Sequence, residues 1–145
     1  MWNHEWVHME TDRKHEAPGP VLVVEDHADT RHMVEQYLQF QGIPTVGAEN
    51  GLAGLGALRE HRPSLVLLDL SMPVMDGWRF RQEQQGMAEQ TLAEVPVVIL
   101  SALNDCEAHA HRLGAIDVIP KPIDLDRLSA LVQRFVGTEA GRIRH

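Results

Sequence analysis

The sequence has a single cysteine, Cys106, among its 145 residues. One thiol closes no internal disulfide, so a disulfide-stapled scaffold is excluded and a reducing cytoplasm is the expected compartment. There is no apolar run near the ~18 residues that a membrane helix needs. The longest, Leu65–Leu68 and Val95–Leu100, have the length of buried strands. The start of the chain lacks the apolar core of a secretion signal. Basic residues are scarce, 13 Lys+Arg against 21 Asp+Glu, for a formal charge of −8. Such a surface repels phosphate backbones and speaks against nucleic acid as a direct partner. No internal repeat or low-complexity stretch is present.

What remains suits one packed domain. The length is near the ~150 residues of a typical domain. Apolar residues make up 43%, and a chain this long buries roughly two thirds of its unfolded surface without a staple. Pro18-Gly19-Pro20 is a breaker. It divides an N-terminal extension (1–18), read as flexible, from a domain (19–137) and a short tail (138–145). Within the extension Trp2, Trp6 and Met9 fall at helical spacing. They would form one apolar stripe able to dock on the domain or on a neighbour. His4 and His8 are spaced to clamp a metal, but two histidines are an incomplete site.

From Val21 an alternation sets in. Val21–Val24 is a β-branched run with no polar alternation, as expected of a strand buried on both faces. Val34 and Leu38, with Met33 and Tyr37, give helical spacing up to Gly42. Residues 43–48 read as a second strand. Gly51–Arg59 reads as a helix with Leu52, Leu55 and Leu58 on one side. Leu65–Leu68 is a third strand ending at Asp69, and 76–90 reads as a helix. Val95–Leu100 is a fourth strand. Asn104 and Glu107 resemble a capping box for a helix that stops at Gly114. Ile116–Ile119 is a fifth strand. Asp124 caps a last helix whose inner face is Leu125, Leu128, Leu131, Val132 and Phe135. Five strands alternating with five helices predict an α/β fold, an open parallel sheet covered on both faces.

Ligands of such sheets bind beyond the carboxyl ends of the strands. Glu25 and Asp26 follow the first strand there, Asp69 the third, Ser101 and Ala102 the fourth, and Lys121 the fifth. In a doubly wound sheet of order 2-1-3-4-5 these residues converge. Clustered carboxylates repel and raise each other's pKa. A hard dication such as Mg²⁺ relieves this, with oxygen ligands and often a phosphate. A lysine beside them presents a point charge to a phosphoryl oxygen. An acid nucleophile, a metal and a lysine are sufficient parts for an aspartyl phosphate.

The run from Val21 to Val136 resembles the receiver domain of bacterial two-component response regulators. Four motifs carry the likeness in order: Val23-Val24-Glu25-Asp26, then Leu67-Leu68-Asp69 through Ser71-Met72-Pro73 to Asp76-Gly77, then Ile99-Leu100-Ser101-Ala102, then Lys121-Pro122. The resemblance implies a flavodoxin-like (βα)5 three-layer sandwich. It implies Asp69 as phosphoacceptor and Mg²⁺ (or Mn²⁺) held by Asp26, Asp69, the Ser71 carbonyl and, mainly through water, Glu25. Ser101 would hydrogen-bond the phosphoryl group with help from Ala102, and Lys121 would pair with a phosphoryl oxygen. Pro73 and Asp76-Gly77 would shape the loop after the acceptor, and the Lys121–Pro122 bond would be cis.

The resemblance further implies a signalling protein rather than an enzyme. A sensor histidine kinase or histidine phosphotransfer protein would be the donor. The recipient would be an unnamed target, or a second copy in a homodimer. No output domain is visible after Gly137, so a stand-alone receiver is expected. Two departures stand out. Val118 replaces the aromatic usual on the fifth strand, and Pro120 removes a backbone donor before Lys121. Two other functions compete. A phosphorylation-independent scaffold would keep the fold and lose the chemistry. An Mg²⁺-dependent phosphatase would need a second acid where Ser71 stands. His27 could tune the acid pair. His109 and His111 lie about 200° apart on a helix and read as a solvated face. Gly51, Gly54 and Gly56 have the wrong order for a dinucleotide loop, and Cys106 reads as a bystander.

Overall fold

The structure, a computed structural model, describes residues 19–136 apart from 73, 103 and 105. The expectations for 1–18, for Pro73, for the Cys106 side chain and for 137–145 lie outside the described residues. Five parallel strands form one sheet in the order β2-β1-β3-β4-β5: β1 (Val21–Val24), β2 (Thr45–Ala48), β3 (Leu65–Asp69), β4 (Val97–Ser101) and β5 (Asp117–Pro120). The described helices are α1 (Ala28–Phe40), α2 (Gly51–His61), α3 (Gly77–Gln85), α4 (Gln90–Ala93), α5 (Cys106–Leu113) and α6 (Leu125–Phe135).

The unbroken apolar strands explain the two-sided architecture. Val21, Val23, Leu65 and Leu67 join Val34 and Leu38 of α1 and Leu128 and Val132 of α6 in one core. Leu22, Val24, Val66 and Leu68 face the other way, toward Leu55 and Leu58 of α2 and Phe80 of α3. Each fully buried aliphatic side chain contributes roughly 1.5–3 kcal/mol, so the three central strands anchor the fold. Capping fixes the helix starts. Asn50 accepts from the Ala53 N–H, Asp76 from Arg79, and Asp124 from Asp126 and Arg127. Gly42 turns the chain after α1 in the left-handed region, at φ 82°.

Several expected boundaries move. The stretch 76–90 is not one helix: α3 stops at Gln85, Gly86 caps it, and α4 follows after a turn. The buried Gln84 amide holds that turn by donating to the carbonyls of Leu92 and Val95. Strand β4 starts at Val97 rather than Val95, because Pro96 has no N–H to give; its carbonyl still accepts from Val66. Strands β2 and β5 likewise begin at Thr45 and Asp117. Leu52 is largely solvent-facing rather than inward, and Phe135 is only partly covered, since the apolar stripes of α2 and α6 are narrower than the leucine spacing suggested.

Candidate functional site

Strand register brings the site together. Val24 lies beside Leu68, and Asp69 beside Leu100. Glu25 therefore follows β1 at the level where Asp69 ends β3. Ser101 ends β4 beside Pro120, and Lys121 follows at once. Pro120 withholds a donor on an edge strand, where that is tolerated. The ladder resumes one residue on, where the Lys121 N–H donates to the Ser101 carbonyl at 2.9 Å. The Lys121–Pro122 peptide is cis.

The side chains meet around the lysine. The Lys121 ammonium lies 2.7 Å from Glu25 Oε1 and 3.4 Å from Asp69 Oδ2. Glu25 and Asp69 are buried, at 1% and 5% side-chain exposure, while Lys121 keeps 24%. Burial, then the neighbouring Glu25 carboxylate, push the Asp69 carboxyl up to about 7 from 3.8, against the opposing pull of the Ser71 N–H and Lys121. Burial alone would lower the Lys121 ammonium, but the hydrogen bond to Glu25 and the charges of Asp69 and Glu25 leave it raised. One ammonium thus stands between two buried acids and leaves the cluster with excess negative charge.

The surrounding backbone fixes these groups. The Ser71 N–H donates to Asp69 Oδ1 at 3.1 Å, and the His27 N–H to Glu25 Oε2 at 3.2 Å. The Arg31 guanidinium, on the first turns of α1, holds the Glu25 carbonyl at 2.8 Å. Gly77 is a positional requirement: a Cβ there would stand 2.6 Å from the Asp69 carbonyl oxygen, so the acceptor loop closes tightly over the end of β3. Ser101 is buried at 2% and Ala102, next in the chain, is exposed. Asp26 sits on the open side, where it, Glu25 and His27 offer ligand atoms within 4.8 Å of one another. These are mostly hard oxygen donors in a site with surplus negative charge, which fits a divalent cation of the Mg²⁺ type.

Arg31 and the His27 backbone were missed from the sequence, because a side chain reaching a carbonyl six residues back leaves no pattern. His109 also departs from expectation. Its ring packs edge-on to Trp78, with centroids 4.9 Å apart, and its Nδ1 is buried; His111 is exposed. Gly51 and Gly54 lie in α2, and Gly54 lets Val24 and Phe80 approach the helix. Val118 is buried in the core beneath α2, α3 and α5.

Buried acids and a lysine at the carboxyl edge of a doubly wound parallel sheet place the chain in the flavodoxin-like α/β class. Residues 21–133 match the response regulator receiver domain family, and the chain belongs to it. The chain is 34% identical over 133 residues to the regulatory protein AtoC of Escherichia coli K12, covering 89% of this chain and 28% of AtoC. It therefore spans only about a quarter of the length of AtoC and of the DNA-binding transcriptional regulator NtrC of Escherichia coli K12. Against the sporulation initiation phosphotransferase F of Bacillus subtilis it is 29% identical over 118 residues, 80% of this chain and 92% of that protein. The receiver domain of the sensor histidine kinase PA1611 of Pseudomonas aeruginosa PAO1, solved with a magnesium ion in its active-site cleft, superposes with a TM-score of 0.72. It is 25% identical over 84% of this chain and all of that one. Receiver domains bind Mg²⁺ at an acidic site and work with histidine kinases or phosphotransfer proteins as signalling domains. No helix among the described residues is long and apolar enough to cross a membrane.

Proposed function

We propose that Asp69 accepts a phosphoryl group from a histidine kinase or histidine phosphotransfer protein, and that the resulting charge is read by a protein partner. The observation that carries this is the Lys121 ammonium shared between Glu25 and Asp69 at 2.7 and 3.4 Å. An Asp69 oxygen attacks phosphorus while the bond from phosphorus to the donor breaks, and the donor leaves with its electron pair. The attack needs an ionised, aligned carboxylate. The Ser71 N–H orients Oδ1, and Lys121 favours the charged form. Asp26, Asp69 and the Ser71 carbonyl would hold Mg²⁺, with Glu25 acting mainly through water. The cation supplies charge neutralisation for the phosphoryl oxygens. Ser101 and Ala102, at the end of β4, border the space where those oxygens would lie, and Lys121 would turn from Glu25 toward them.

A phosphoryl group adds roughly 1.5–2 negative charges. With Val118 in the core rather than an aromatic, the change passes through Ser101 and the loop after it to α5. That surface is the one offered to a partner or to a second copy. A cytoplasmic site of action follows from the donor class. Intact-mass spectrometry with a small acyl phosphate tests the reading. The expected result is Mg²⁺-dependent labelling of the wild type and none of Asp69→Asn; equal labelling of both refutes it.

A further inference from the structure

The face of the sheet opposite α2, α3 and α5 carries only α1 and α6 among the described residues, and the two leave an open groove between them. Its volume is about 460 Å³, and Met33, Tyr37, Phe40 and Leu125 give it an apolar floor, with Asp29 and His32 on the rim. Phe40 is 90% exposed and Met33 41%. A phenyl ring fully in water at the end of a helix gains substantially from cover. The polar site does not use these residues.

The sequence contains a segment of matching character. Eighteen residues precede Gly19, and among them Trp2, Trp6 and Met9 share one helical stripe, with His4 and His8 on the far side by the same spacing. The point of attachment is favourable. The Ser64 hydroxyl holds the Gly19 carbonyl under the start of β1, and the Val21 N–H donates to the carbonyl of Pro44, four residues past Phe40. Gly19 and the Phe40 end of α1 thus lie at the same edge of the sheet. Nine residues, 10–18, reach about 30 Å when extended. The whole of α1, 13 residues long, measures about 20 Å. Every part of the groove is within reach.

We propose that the groove between α1 and α6 is the seat of the chain's own residues 1–18, with Trp2 and Trp6 placed against Phe40, Met33 and Tyr37.

The test uses the full chain with Trp78→Phe, which leaves Trp2 and Trp6 as its tryptophans. Their emission is expected to be blue-shifted, and Phe40→Ser to return it to that of a hydrated indole. Amides of residues 33–40 are expected to exchange about tenfold faster in Trp2→Ala/Trp6→Ala than in the parent. Both readouts should be unchanged over a hundredfold dilution, with a monomer mass throughout. Fully hydrated emission that Phe40→Ser leaves alone would overturn the proposal. So would protection that disappears on dilution together with a dimer, since the occupant would then be a second copy. Neither readout depends on phosphorylation, so this inference and the reading of Asp69 fail separately.

Discussion

The conflict between Glu25 and Asp69 makes a quantitative prediction about stability. In the unfolded chain Asp69 titrates near 3.8; in the fold burial and the Glu25 carboxylate raise it to about 7. Between those values the folded protein holds a proton that the unfolded chain has released. Stability from this group is therefore greatest below pH 4 and is lost as the pH climbs to 7. The full difference corresponds to roughly 4 kcal/mol, and partial access of water through the Lys121 side reduces it to about 2–4 kcal/mol. Asp69→Asn removes the ionisation and keeps the shape. With divalent ions chelated, it is expected to be more stable than wild type by about that amount at pH 8 and nearly equal at pH 4. Urea denaturation at both pH values reads this as a midpoint increase of about 1–2 M at pH 8, for a slope of about 2 kcal/mol per M. Adding Mg²⁺ at pH 8 should stabilise the wild type and not the variant. If Asp69→Asn is no more stable at pH 8, the buried acids are not in conflict and the argument for a cation at this site fails.

Two further substitutions probe the frame around the site. The buried Arg81 guanidinium donates to the carbonyls of Leu113 and Gly114 at 2.8 and 3.1 Å and to Gln84 Oε1 at 2.8 Å, tying α3 to the end of α5. Arg81→Ala should cost about 2–4 kcal/mol in chemical denaturation, from charge-assisted bonds worth about 1.5–3 kcal/mol each, not all additive; a loss under 1 kcal/mol would mean water replaces them. Val74, in the loop after the acceptor, is 78% exposed and sits at φ 68°, a conformation that β-branched residues resist. Val74→Asn should raise stability by about 1 kcal/mol, because Asn tolerates this region and little packing is lost. A lower melting temperature would show that Val74 has a contact worth more than its backbone strain.

The parts that were legible in the sequence share a physical reason. Val21–Val24 and Leu65–Leu68 read as two-sided strands because nothing polar interrupts them. Once five such strands alternate with helices, handedness leaves few arrangements, so Glu25, Asp69, Ser101 and Lys121 could be placed at one edge before any coordinates. What stayed hidden is set by tertiary contacts. Leu52 sits at the spacing of Leu55 and Leu58, yet a helix on a twisted sheet buries a narrower stripe than its leucines suggest. The break after Gln85 depends on Gln84, whose buried amide serves two carbonyls further along the chain; as a glutamine in a polar helix it gives no advance sign. Lys121 is the most instructive case. As one lysine after a strand it reads as a cleft charge available to a ligand, but in the fold its ammonium is already engaged by Glu25 at 2.7 Å. Any anion arriving at Asp69 must compete for that ammonium, and when it wins, Glu25 is left buried beside a second negative group. The cost of that rearrangement is smallest when a divalent cation takes over the neutralisation. If Asp69 takes a phosphoryl group as proposed, its occupancy then depends on the metal.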